Sequence, residues 1–265
     1  MKLKLDPVSL INSYGPLIWC IRVVNTILSS KEALEAWLFP AILKIAHFYQ
    51  QKLTYSDIHD IFAGVQTIPV VDYFEEDAGQ LSMVAVPSND PDNKNAIYRT
   101  IKIVVSVTYS GSLLYQPTEH ANNAKLHALI TLLHGTMHIL TPHILSALHV
   151  DAKVTPAMQL SPREYIDFKK PASERAGGLG IAWEETLFNG ILVAPDPVYS
   201  VLCLATLKDK NKYYDDVNIE RSMIPSENCD RILRALDDWV NPSWERRVFC
   251  LPNPCPLQVF DTYGT

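Results

Sequence analysis

The sequence lacks an apolar run long enough to cross a bilayer. Its two best stretches, Val8 to Leu28 and Ala33 to Tyr49, are interrupted by Arg22 and by Glu35 and Lys44, whereas a helical span needs about 20 mostly apolar residues. It also lacks a surplus of cations: 23 Lys and Arg stand against 29 Asp and Glu, a net charge of −6. The basic residues are scattered, which argues against nucleic acid as a partner, because tracking a phosphate backbone needs them clustered. Five cysteines at irregular spacing include no CxxC pair, so neither a disulfide framework nor a cysteine zinc site is expected. The first residues have no clean apolar core of the kind a signal peptide needs, since Asp6, Asn12 and Arg22 intervene. The match to a glycosylation acceptor, Asn241-Pro242-Ser243, is disqualified by its proline. A soluble, cytoplasmic protein without a membrane span is the expectation. Nucleophile and nucleotide motifs are missing too: there is no GxSxG and no P-loop, and Gly177-Gly178-Leu179-Gly180 has the wrong spacing for a dinucleotide turn.

What is present suits a sizeable core. Of 265 residues 48% are hydrophobic, and the pattern predicts an α+β fold, mainly helical with a small mixed or antiparallel sheet. Ser29 with Glu32 reads as a capping box for a helix from Ser30 to Gln50 that bends at Pro40, and a second short helix starts near Ser56. β-Branched runs at Thr67 to Tyr73, Leu81 to Val86 and Tyr98 to Tyr109 read as strands. Pro117 opens a long helix through Leu140, which Pro142 bends or restarts. After a loop from Asp151 to Ser173, a helix is expected from Ile181 to Val193. Lys208 to Arg221 reads as a solvated excursion and Ser226 to Val240 as a last helix. Residues 1–65 form an N-terminal helical region and residues 66–265 the sheet and the helices that carry chemistry. With no internal repeat or linker, both belong to one domain with two lobes.

The informative helix is Asn123 to Thr141, apolar around most of its circumference and therefore expected to be buried. At about 100° per residue, Asn123, His127, Thr131, His134, His138 and Thr141 share an arc of about 80°. Buried imidazoles without partners are costly, so the stripe implies a polar cavity, a hydrogen-bond network or a metal. His134 and His138, spaced i and i+4, suit two ligands of one zinc ion; the plain alternative is a pair of core histidines bonded to oxygens. Glu184 shares its helix face with Ile181, Leu187, Phe188 and Ile191. A buried carboxylate needs a cation or a donor. Glu184 is thus the candidate third ligand, with Glu174 in reserve, against a protonated Glu184 or one paired with Arg163 or Arg175.

A sheet followed by an HxxxH helix and a downstream glutamate helix resembles the zincin metallopeptidases of the glutamate-ligand type. More narrowly, Leu132 to His138 and Trp183 to Gly190 are similar to segments of uncharacterised fungal proteins with an HExxH-like helix and a later glutamate helix. The resemblance spans residues 66 to 195. It implies a zincin-like two-lobed fold, His134 and His138 as zinc ligands, and Glu184 or Glu174 as the third. It also exposes a departure, because the general-base glutamate of that family falls on Gly135. Such a group contributes roughly 10²- to 10⁴-fold in rate, and glycine cannot replace it. The expectation is a zinc-binding enzyme or pseudoenzyme of hydrolase type, acting on a small-molecule or peptide substrate. His127, Tyr165, Asp167 and Glu164 are stand-in proton carriers. Two alternatives remain: a non-haem iron oxygenase, which uses two histidines and one carboxylate, and a non-catalytic binding protein, which Gly135 favours.

Overall fold

The computed structural model describes residues 2–5, 15–48, 50–63, 67–75, 83–88, 100–106, 118–147, 179–196, 201–209 and 218–240. Strand β1 (Lys2–Leu5) leads into helices α1 (Gly15–Ser29), α2 (Lys31–Trp37), α3 (Phe39–Phe48) and α4 (Tyr55–Ala63). The expected helix from Ser30 to Gln50 is two helices. The chain breaks at Leu38, and Pro40 falls in the first turn of α3, where its missing N–H costs nothing. The cap is Ser30 and not Ser29: Ser30 Oγ accepts from Ala33 N–H at 3.3 Å, while the Ser29 hydroxyl bonds back to Asn25 O at 2.7 Å as α1 ends. Thr54 and Asp57 cap α4 reciprocally, Asp57 N–H donating to Thr54 Oγ1 at 3.3 Å and Thr54 N–H to the Asp57 carboxylate at 2.7 Å.

Strands β2 (Thr67–Glu75), β3 (Met83–Ser88) and β4 (Thr100–Ser106) join β1 in a mixed sheet ordered β1-β2-β4-β3. The pairs β1/β2 and β2/β4 are parallel, with Lys2 opposite Thr67 and Val70 opposite Ile101, whereas β3 runs antiparallel to β4 at one edge. The first residues thus pair with a strand some sixty positions on, which composition did not reveal. Helix α5 (Thr118–Ala147) continues through Pro142, and helix α6 (Leu179–Phe188) packs against it.

The helix expected from Ile181 to Val193 stops early. Asn189 adopts a left-handed φ of 56° and the chain enters strand β5 (Ile191–Asp196). Gly190 is required at this corner, since a Cβ would meet the Ala205 carbonyl oxygen at 2.7 Å. Strands β6 (Val201–Leu207) and β7 (Ile219–Met223) complete a small antiparallel sheet ordered β5-β6-β7. The stretch read as a solvated excursion therefore ends in an edge strand. Its exposed Glu220 and Arg221 account for the polar pattern. Helix α7 (Ser226–Val240) has the limits expected of it.

The largest described core cluster packs helices around α5. Leu126, Leu129, Leu132, Leu133 and Met137 meet Val24 and Ile27 of α1, Trp183 and Phe188 of α6, and Ile232, Leu233 and Leu236 of α7. The fold is α+β and mainly helical. Trp183 Nε1 donates to Trp37 O at 2.7 Å and ties α6 to α2. Lys125 lies over the Trp19 ring at 3.8 Å and 3.6 Å from Asp237, which also accepts from Trp19 Nε1, so α1, α5 and α7 share one clamp. Cys20, Cys203 and Cys229 are buried free thiols. Among the described residues no helix is long and apolar enough to cross a membrane.

Candidate functional site

The polar stripe of α5 interrupts an otherwise buried helix. Ala128, Leu129, Ile130, Leu132 and Leu133 are buried, whereas His127, Thr131 and His134 are partly exposed. Thr136, on the opposite side, is fully buried and satisfied locally, its hydroxyl donating to Leu132 O at 2.8 Å. Desolvation pushes the His127 imidazole down to about 4, so this histidine is neutral at physiological pH.

Helix α6 brings Glu184 to His134. Glu184 is 6% exposed, as its helix face predicts. His134 Nδ1 and Glu184 Oε1 lie 2.5 Å apart, and Leu192 N–H of β5 donates to Glu184 Oε2 at 2.7 Å. Arg163 and Arg175, the other partners expected of Glu184, lie outside the described residues. The left-handed Asn189 makes the second contact possible by turning the chain back, so that a backbone donor eight positions on reaches the carboxylate.

Gly180 completes the arrangement. A Cβ at this position would overlap the His134 ring at Cδ2, Nε2 and Cγ. Only glycine lets the start of α6 lie against the imidazole. Its role was not legible in the sequence, where the glycine cluster signalled only the start of a helix. The Leu192 N–H was equally hidden, because no side chain announces it.

His138 follows one turn after His134 on α5; its side chain is outside the described set. Glu174, Tyr165, Glu164 and Asp167 also lie outside the described residues. Among the described residues no group of three or more His, Cys, Asp and Glu side chains is placed to hold a metal ion. The chemistry of the donor set still fits one part of a metal site. His134 and Glu184 are in contact at 2.5 Å, and a carboxylate beside a ligating histidine ordinarily sets the tautomer and orientation of the ring. Comparison with known protein families, with curated proteins and with solved structures finds no match for this chain.

Proposed function

We propose that this chain is a metal-binding protein, zinc being the first choice, on a zincin-like two-lobed scaffold without the peptidase base. His134 and His138 are its ligands on α5, and the Glu184 carboxylate stands beside His134. The supporting observation is a buried carboxylate at 2.5 Å from the first histidine of the HxxxH pair. The order of sheet, histidine helix and glutamate helix along the chain agrees with the zincin resemblance. When bound, such an ion supplies Lewis acidity toward a small-molecule or peptide substrate. Position 135 is a buried glycine and moves no proton, so any reaction draws its proton carrier from elsewhere, His127 and Tyr165 being the candidates. A reducing cytoplasmic setting suits the buried free thiols.

A second reading, a non-catalytic binding protein, is favoured by a specific observation: both oxygens of Glu184 already meet protein groups, so the pair needs no ion to be satisfied. Zinc titrated calorimetrically into the chelator-stripped full chain separates the two. The metal reading expects about one site per chain, lost in His134→Ala and in His138→Ala. Anaerobic ferrous iron in a parallel titration tests the oxygenase alternative. Failure of both metals to bind stoichiometrically leaves the binding protein.

A further inference from the structure

We draw no further inference here: the strongest candidate, the surface patch along the edge strand β7 of the small antiparallel sheet, where Glu220, Arg221 and Met223 are exposed, carries nothing because nothing in the structure shows what covers it.

Discussion

Truncating His134 to alanine leaves the Glu184 carboxylate in the core without the imidazole 2.5 Å away. Leaving a buried polar group without its hydrogen-bond partner costs about 1 to 3 kcal/mol, and more for a charged group. The His134 side chain is 16% exposed and that of Glu184 7%, so water reaches the gap in part, and a loss of about 2 kcal/mol is expected. Truncating Glu184 strands the Leu192 N–H, for about 1 to 3 kcal/mol. The double variant removes the charge and its partner together, so its loss falls short of the sum of the single losses by about 1 to 3 kcal/mol. Urea unfolding in the presence of a chelator, with the slope unchanged across the set, reads these differences without a contribution from metal. A His134→Ala variant within about 0.5 kcal/mol of wild type, or additivity within about 0.5 kcal/mol, would refute a coupled buried pair.

Three other perturbations follow from the same geometry. Gly180→Ala drives a methyl into the His134 ring and is expected to cost about 1 to 3 kcal/mol, read by thermal or urea unfolding. His127 has its folded-state pKa depressed to about 4 from 6.5, so the unfolded chain binds the extra proton in that window. Stability from this group is therefore complete above pH 6.5 and falls by up to about 1.4 kcal/mol per unit as the pH drops toward 4. His127→Gln should flatten that stretch of the stability profile. Ser30→Ala removes a helix cap for about 1 kcal/mol, whereas Ser29→Ala, losing only an exposed bond to Asn25, should change unfolding little.

Patterns confined to one element were the legible ones. Helix α7 was readable because Ser226 opens it and Asn241-Pro242 follows its end. The burial of Glu184 followed from the residues on its helix face. The misreadings came from competition between elements. Ile191, Leu192 and Val193 continue the apolar pattern of α6, so the strand they form was absorbed into a helix, although Asn189-Gly190 carries the chemistry of a helix end. Val201 to Ala205 is a continuous apolar run left unassigned by sequence, and its strand character is plain only once β7 is paired beside it. Ser29 and Ser30 both precede Glu32, and the choice of cap depended on knowing that α1 ends between them. The histidine stripe was visible on one helix. The contact that gives it meaning was not, because it depends on α6 approaching α5 through the absent side chain of Gly180. Pairing of β1 with β2 is likewise a long-range event that no local pattern encodes.

Elemental analysis of the purified full chain, alongside His134→Ala and His138→Ala, bears most directly on the metal centre. The account predicts about one zinc per wild-type chain and none in either variant. A wild type that carries no stoichiometric metal and gains none after dialysis against zinc contradicts it.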